Sequence, residues 1–322
     1  MLNFLRQRWF LIALLAVLAG GMFWWRPLKP LASVIPRDAI VASVMLLMAL
    51  PMETAAMWRA LRRPGPAWLA SAINLGLAPP LGWLAGQLLP PELAIGLIVT
   101  TLVPCTLAAA TVWTRRAGGN DAVAILVTII TNLACFLVVP AWLRIFVGTG
   151  AGVDLDYSAL MLQLVILVVA PIVAAQLLRQ WKPLAAKVTR HKTPLAVMAQ
   201  VGILSFVFAG AVRCGEEVQN ASGSQLLSAG NVSLMIMLVV AVHLSLLAIG
   251  LVTARGLGMS RPDSIAVGIS GSQKTIMVGL FLALKFGAAA ILPMVAYHAA
   301  QLLLDTIIAD WLRERGASRQ SA

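Results

Sequence analysis

Long apolar stretches alternate along the chain with short breaks that contain charges, prolines or glycines. A helix needs about 20 apolar residues to cross a hydrocarbon core about 30 Å thick, and ten stretches approach that length. They run from about Trp9 to Trp25, Ala39 to Met57, Ala67 to Leu89, Leu93 to Thr114, Ala122 to Val147, Ser158 to Leu178, Pro194 to Val212, Val232 to Ala254, Ser264 to Leu284, and Ala289 to Trp311. The pattern predicts an all-α integral membrane protein with ten transmembrane helices.

The ten predicted spans form one transmembrane domain, residues 1–322, and divide into two sets of five, about 9–147 and 158–311. Because five is odd, the second set enters the membrane from the opposite side, which is the geometry of an inverted repeat. The fourth span is interrupted at residues 103–106 (VPCT) and the ninth at 268–275 (GISGSQKT). Interruptions in corresponding spans indicate the binding site of a transporter, because unpaired backbone groups at membrane depth must bind a ligand or line a wet cavity.

Composition supports the membrane interpretation, since 60% of the residues are hydrophobic and only 11% are charged. A soluble domain has about 25% charged residues. The net charge is +12, but most Lys and Arg residues fall in the loops of one side. By the positive-inside rule both termini are predicted to be cytoplasmic, in a multi-pass protein of the inner membrane. The basic charge is therefore a topology signal with contacts to lipid headgroups, and no nucleic-acid partner is indicated.

The sequence contains no motif of an enzyme. There is no HExxH, P-loop or GxGxxG pattern and no Ser/His/Asp arrangement. The three cysteines, Cys105, Cys135 and Cys214, lack the spacing of a zinc site or a disulfide framework. We expect no catalytic activity, no bound cofactor and no metal centre.

Lys274 lies inside the ninth interruption. An ionisable group at membrane depth costs a few kcal/mol even on lenient insertion scales, so it needs a compensating partner or a function. The alternative is that Lys274 only pins helix packing or extends to the membrane surface. Glu53 and Asp305 are carboxylates near the ends of their predicted spans. A location at the membrane–water interface is an alternative to a functional role for both.

Further polar residues within the spans are candidates for substrate or ion binding. Thr128 and Asn132 are four residues apart on one face of the fifth span, with Thr131 beside them, and such a face turns inward. Ordinary hydrogen bonding between helices explains each of them as well as ligand contact does. The other candidates are Asn74, Thr106, Thr111, Ser272, Gln273, Thr275 and His298, with His243, Tyr297 and Gln301 as weaker ones.

Three motifs resemble the bile acid:sodium symporter superfamily, most closely its SBF-like branch. They are GGNDA at residues 118–122, GSQKT at 271–275 followed by Gly279, and YHxxQL at 297–302. The resemblance covers most of the chain. It implies the fold of bile-acid symporters and NhaA-type antiporters, with a panel domain, a core domain and broken helices four and nine that cross in the core. It also implies transport of a small or amphipathic organic anion by alternating access.

The resemblance also allows the sodium ligands to be compared, residue by residue. Asn74 matches a Gln of the third span and Thr128 matches a Thr of the fifth. The Ser/Asn pair of the fourth span falls at about Ala109 and Ala110, with Thr111 as the nearest oxygen, and a Ser of the fifth span becomes Ala124. The Glu of the ninth span falls near Ser272 or Gln273, beside Lys274, and no carboxylate lies between Ser264 and Leu284.

These departures predict that the standard sodium sites are absent. An ammonium about 4 Å from a sodium ion would cost about 4 kcal/mol at an effective dielectric constant of roughly 20. We hypothesise that Lys274 takes the cationic role itself, props the crossing helices and attracts an anionic substrate. It would thereby make transport independent of sodium, or coupled to protons.

Two other functions remain open. The fourth span also resembles arsenite efflux carriers, because Pro104-Cys105 lies at its break with Val112-Trp113 downstream, although the spacing differs by a residue. Cys105 would then be a soft ligand for arsenite, whereas a small residue packed at the crossing is the simpler interpretation. A degenerate sodium site would also fit a membrane regulator that no longer transports. The substrate, the direction of transport and the oligomeric state are not predicted.

Overall fold

The computed structural model describes residues 2–52, 61, 64–147, 155–220 and 226–318, and all regular secondary structure within them is helical. The helices are α1 (Leu2–Phe23), α2 (Trp25–Ser33), α3 (Arg37–Ala49), α4 (Gly65–Ala72), α5 (Ala78–Gly86), α6 (Pro91–Leu102), α7 (Ala109–Arg116), α8 (Asp121–Phe146), α9 (Tyr157–Leu164), α10 (Ala170–Leu178), α11 (Lys182–Arg190), α12 (Lys192–Asn220), α13 (Ala229–Gly256), α14 (Arg261–Ser272), α15 (Ile276–Ala283) and α16 (Ile291–Ser318). The π-helical turn Ile73–Leu77 joins α4 to α5, and Val165–Val169 joins α9 to α10. Glu53 lies outside the described residues.

Within the described residues, six helical segments are long and apolar enough to cross a membrane. They are Asp121–Phe146, Tyr157–Leu178, Lys192–Gln219, Ala229–Gly256, Arg261–Ala283 and Ile291–Arg315. A seventh is counted if Trp9–Phe23 and Trp25–Ser33, which meet at 109°, form one bent span. The protein is therefore a multi-pass membrane protein. The π-helical turn Ile73–Leu77 lies within the third predicted span, and the break between α6 and α7 divides the fourth.

The helices pack in two groups. The panel group consists of α1, α2, α3, α10 and α12, and the core group consists of α4 to α8 and α13 to α16. Helix α9 packs against α8, and α15 contacts both α3 and α12 across the boundary between the groups. The most apolar stretch of Arg261–Ala283 is 100% buried, so this broken segment lies at the centre of the protein.

The interruption of the ninth predicted span is shorter than residues 268–275. Helix α14 continues through Gly268 and Gly271 to Ser272, and only residues 273–275 are not helical. The two glycines permit close packing instead. A Cβ added at Gly250 of α13 would lie 2.8 Å from the Cα of Gly268, and a Cβ at Gly271 would lie 3.1 Å from Ile73.

Candidate functional site

The two helix breaks contact each other in the core group. Helix α6 ends at Leu102 and α7 begins at Ala109, whereas α14 and α15 are separated by residues 273–275. The backbone N–H of Thr275 donates to the carbonyl oxygen of Pro104 at 2.9 Å. The predicted interruptions of the fourth and ninth spans are thus both present, and backbone groups released by one break are satisfied by the other. The side chain of Thr275 is buried beside this contact.

The ammonium of Lys274 is held by backbone carbonyl oxygens. Its Nζ donates to the carbonyl of Asn74 at 2.6 Å, of Thr101 at 2.7 Å and of Val103 at 3.1 Å, and the residue is 0% exposed. Thr101 and Val103 are at the C-terminal end of α6, where carbonyls lack helical partners and carry the negative end of the helix dipole. The side chain therefore does not extend to the membrane surface.

Asn74 connects the π-helical turn to the end of α14. Its Nδ2 lies within hydrogen-bonding distance of the carbonyl oxygens of Ser270 at 3.3 Å, Gly271 at 3.2 Å and Gln273 at 2.9 Å. Its Oδ1 is buried and has no hydrogen-bond partner among the described residues. Asn74 thus binds one broken helix through its amide nitrogen and Lys274 through its backbone, and retains a free acceptor at the crossing.

Gln273 links the breaks to a buried acidic residue. Its Oε1 accepts a hydrogen bond from the hydroxyl of Thr106 at 2.6 Å, and its Nε2 donates to Oδ2 of Asp305 at 2.6 Å. The other carboxylate oxygen of Asp305 lies 2.9 Å from Nε2 of His243. All four side chains are buried, so a continuous polar connection joins α7, α14, α16 and α13.

Asp305 and His243 are the residues that sequence reasoning underrated. An interfacial location for Asp305 is wrong, because it is 1% exposed and packs against α13. A periodicity signal was present: Tyr297, Gln301 and Asp305 are four residues apart and therefore share one face of α16. A lone His in an apolar helix carries no such signal.

The polar face of α8 holds the first break in place. Nδ2 of Asn132 donates to the carbonyl of Cys105 at 2.9 Å, and the hydroxyl of Thr131 accepts from the Cys105 N–H at 3.2 Å. The hydroxyl of Thr128 lies 3.0 Å from the carbonyl of Thr106 and 3.9 Å from Sγ of Cys105. These three residues satisfy the backbone that the break releases. Within the described part of the chain, Cys105 belongs to no group of three or more His, Cys, Asp or Glu residues placed to hold a metal ion.

Helix α16 supports the second break through the YHxxQL motif. The hydroxyl of Tyr297 donates to the carbonyl of Ser272 at 2.7 Å. The side chain of Gln301 binds both backbone groups of Lys274. Its Oε1 accepts from the Lys274 N–H at 3.0 Å, and its Nε2 donates to the Lys274 carbonyl at 3.1 Å. Nε2 of Gln301 also lies 2.8 Å from Nδ1 of His298, which is buried. Ser272 and His298 thus lie at the crossing, as supporting residues.

Thr111 lies apart from the crossing, on a cavity between the two groups of helices. This cavity has a volume of about 300 Å³ and is lined mostly by apolar residues of α3, α7, α8 and α12. Its polar lining includes Arg115, Asp121 and Lys192, and Arg115 is ion-paired with Asp121 at 2.6 Å.

A second cavity, of about 220 Å³, also lies between the two groups and includes Arg37, Asp38 and Lys285. Nζ of Lys285 donates to Gln163 at 2.7 Å. Partial burial lowers the pKa of Lys285, and the charge of Asp38 opposes this shift. The boundary between the panel and core groups therefore contains two separate cavities with cationic side chains.

Several side-chain oxygens that the resemblance implies for sodium are missing at the crossing, whereas the buried Oδ1 atoms of Asn74 and Asn132 have no hydrogen-bond partner among the described residues. Ala109, Ala110 and Ala124 provide no side-chain oxygen where the resemblance places sodium ligands. The carbonyls of Asn74, Thr101 and Val103 already face an ammonium. A sodium ion about 4 Å from this ammonium would be disfavoured by about 4 kcal/mol at an effective dielectric constant of roughly 20.

A membrane protein of packed helices, with two broken segments in contact around an ionisable residue, has the architecture of a secondary transporter. The family follows from comparison: residues 8–314 match the model of the SBF-like CPA transporter family, and the chain belongs to this family.

Proteins that are similar in sequence to this chain are named as transporters. The chain is 28% identical over 242 residues to the probable sodium/metabolite cotransporter BASS4, chloroplastic, of Arabidopsis thaliana, which covers 70% of this chain and 54% of the relative. It is 30% identical over 246 residues to the BASS4 protein of Oryza sativa subsp. japonica, and the match covers 70% of this chain and 56% of the relative. It is 24% identical over 339 residues to the sodium/bile acid cotransporter 7 of Rattus norvegicus, and the match covers 99% of this chain and 96% of the relative. The chain thus spans about half the length of the plant relatives and nearly all of the rat protein. These relatives are transporters and not enzymes.

Proposed function

We propose that the protein is a secondary active transporter that moves a small organic anion by alternating access, with Lys274 in place of a coupling sodium ion. The observation that supports this most directly is the position of the Lys274 ammonium on three backbone carbonyls where the two broken helices meet. In secondary transporters, unwound carbonyls and the C-terminal ends of half-helices coordinate the coupling cation.

A covalently attached cation changes the coupling. A sodium ion is released at the end of each cycle, whereas the ammonium of Lys274 stays with α14 and α15. The carbonyl ends of α6 are therefore neutralised throughout the cycle, and no sodium has to bind before the substrate does. We infer that the sodium gradient does not drive transport.

The topology we propose has ten spans in two inverted repeats, about residues 9–147 and 158–311, with both termini in the cytoplasm and the protein in the inner membrane. Helices α1 to α8 precede residue 147 and α9 to α16 begin at Tyr157, and the two breaks that contact each other lie one in each half. The bias of Lys and Arg residues toward one set of loops supports the orientation.

The cavities favour a small anion with an apolar body. The larger cavity, about 300 Å³, is at the lower end of the range for small-molecule sites, and its walls are mostly apolar with Arg115 and Lys192 among the lining residues. The second cavity adds Arg37 and Lys285. Each cavity combines two cationic side chains with one carboxylate, Asp121 or Asp38, so that its lining would attract an anion.

Uptake by proteoliposomes tests this function. A panel of labelled organic anions that includes taurocholate is offered with a sodium gradient and a proton gradient imposed separately. We expect flux of at least one anion at the same rate in sodium and in choline buffer, and loss of this flux in Lys274→Ala. The exposed Lys187→Met is the control. Flux that requires sodium would contradict the role of Lys274, and a protein that carries no anion would favour the regulator hypothesis.

Arsenite efflux is the second candidate, because the buried thiol of Cys105 lies on the first break. Including arsenite in the same panel, with Cys105→Ser as the variant, separates the two functions. Arsenite flux that is lost in Cys105→Ser would favour this candidate over the organic-anion transporter.

A further inference from the structure

Asp305 is the one buried carboxylate among the described residues, and it is connected to the crossing by a single side chain. It is not ion-paired with Lys274. Its partners are Nε2 of Gln273 at 2.6 Å and Nε2 of His243 at 2.9 Å. A carboxylate at membrane depth that reaches a transporter's broken helices is by default a functional group.

The hydrogen bonds between the first break and Asp305 all run in one direction. The N–H of Ala110, in the first turn of α7, donates to Oγ1 of Thr106 at 2.9 Å, and this hydroxyl donates to Oε1 of Gln273 at 2.6 Å. Nε2 of Gln273 then donates to Asp305. Each donor therefore points toward the carboxylate, which is the arrangement expected for ionised Asp305, an acceptor only.

A proton on Oδ2 of Asp305 would disturb this chain. A protonated carboxyl is also a donor, and placing its hydrogen on Oδ2 would oppose it to the amide N–H of Gln273 at 2.6 Å. The conflict is relieved if the amide of Gln273 turns over, so that Oε1 accepts from Asp305 and Nε2 donates to Thr106. The hydrogen bond between the two broken helices would then reverse its direction.

Protonation also changes the charge balance of the core. With Asp305 ionised, its negative charge offsets the positive charge of Lys274. One added proton leaves Lys274 uncompensated, and an organic anion would restore neutrality. The other titratable groups around the pair are Cys105 on the first break, Tyr297, whose ring packs edge-on against that of His243 at 5.5 Å, and His298 on α16.

His243 supplies a second position for the proton. The residue is 0% exposed, and its Nδ1 has no hydrogen-bond partner among the described residues. Its Nε2 is on Asp305, so a proton accepted at Nδ1 makes the ring a cation beside the carboxylate. A bound proton can thus lie on Asp305 or on the ring of His243.

We propose that Asp305 and His243 form a proton-binding site, and that one proton bound there accompanies each singly charged anion. This inference rests on the proposed transport function, but proton binding itself can be measured without a substrate.

Infrared difference spectroscopy of the protein in lipid vesicles tests the site directly. The pH is lowered stepwise from neutral while the protein remains folded. We expect a carboxylic-acid C=O band that appears on acidification in the wild type and in Asp310→Asn, which removes a carboxylate of the same helix that is ion-paired with Arg116, and that is absent in Asp305→Asn. In His243→Gln the frequency of this band should change, because Oδ1 of Asp305 loses its imidazole partner. A wild-type protein without such a band, or a band retained in Asp305→Asn, would overturn the proposal.

Transport gives an independent readout with labelled taurocholate. Asp305→Asn imitates the neutral, protonated carboxyl. We therefore expect the variant to exchange internal for external anion. A pH gradient should accelerate its net uptake at least 10-fold less than it accelerates net uptake by the wild type. Equal acceleration in both proteins would overturn the coupling role. Absence of taurocholate flux in the wild type, with the titrating band present, would count against taurocholate as the transported anion and leave the proton site standing.

Discussion

Replacement of Lys274 by Met removes the ammonium from the crossing and leaves three carbonyl oxygens facing an apolar side chain. Hydrogen bonds of a charged group are worth about 1.5–3 kcal/mol each, so the three bonds to Asn74, Thr101 and Val103 total roughly 5–9 kcal/mol. Relief of the desolvation of the ammonium returns several kcal/mol. The net loss in the free energy of unfolding should therefore be about 3–5 kcal/mol, as is typical when one partner of a buried charged interaction is removed.

Thermal unfolding of the purified protein in detergent measures this loss. A destabilisation of this size should lower Tm by roughly 5–10 °C, by the scaling observed for large domains. The exposed Lys187→Met, which removes an equal charge from α11, should leave Tm unchanged.

The Lys274→Ala variant provides a sharper test, because it frees space as well as the carbonyl oxygens. If Lys274 takes the place of a sodium ion, sodium should raise the Tm of Lys274→Ala relative to choline and should not affect the wild type. Equal melting of Lys274→Met and the wild type, or stabilisation of the wild type by sodium, would refute the reasoning.

Three destabilising substitutions, two of them with a control variant, test the packing and the polar network. Gly250→Ala should destabilise the protein by about 1–3 kcal/mol, since the new Cβ would lie 2.8 Å from the backbone of α14, whereas Gly230→Ala on the same helix has open space and should be neutral or stabilising in the same melting assay. Tyr297→Phe removes the 2.7 Å hydrogen bond to the end of α14 and should cost about 1–3 kcal/mol, read as a lower Tm. Asn132→Ala should cost a similar amount by releasing the first break, while Thr111→Val should leave Tm unchanged and alter KM for the transported anion, because this residue lines the larger cavity.

The sequence was sufficient to locate both helix breaks because their causes are local. Pro104 cannot donate a helical hydrogen bond, and a lysine at position 274 cannot be left facing lipid. Glycines are a weaker signal, since they serve either a break or close packing. This is why the second interruption was predicted to begin at Gly268, whereas α14 continues to Ser272 and uses its glycines for packing.

The partners of these residues could not be predicted, because they come from distant parts of the chain. Lys274 binds carbonyl oxygens of residues 171 to 200 positions away, and a backbone oxygen has no sequence signature. His243 and Asp305 are 62 residues apart, and their contact depends on how α13 and α16 are rotated against each other. Helical periodicity identifies a face but not the neighbour that covers it.

The separation of the two buried charges is itself informative. A direct ion pair between Lys274 and Asp305 would neutralise both charges, whereas Gln273 keeps them apart: its amide donates to Asp305, and the ammonium of Lys274 contacts backbone carbonyls instead. The resemblance implies a Glu of the ninth span at about this position. Here the ninth segment carries an amide and a lysine, and the carboxylate reaches the crossing from α16 instead. In the proposed mechanism the cation is covalently fixed and the carboxylate lies on a neighbouring helix, so the proton is the charge at this site that binds and leaves with the substrate.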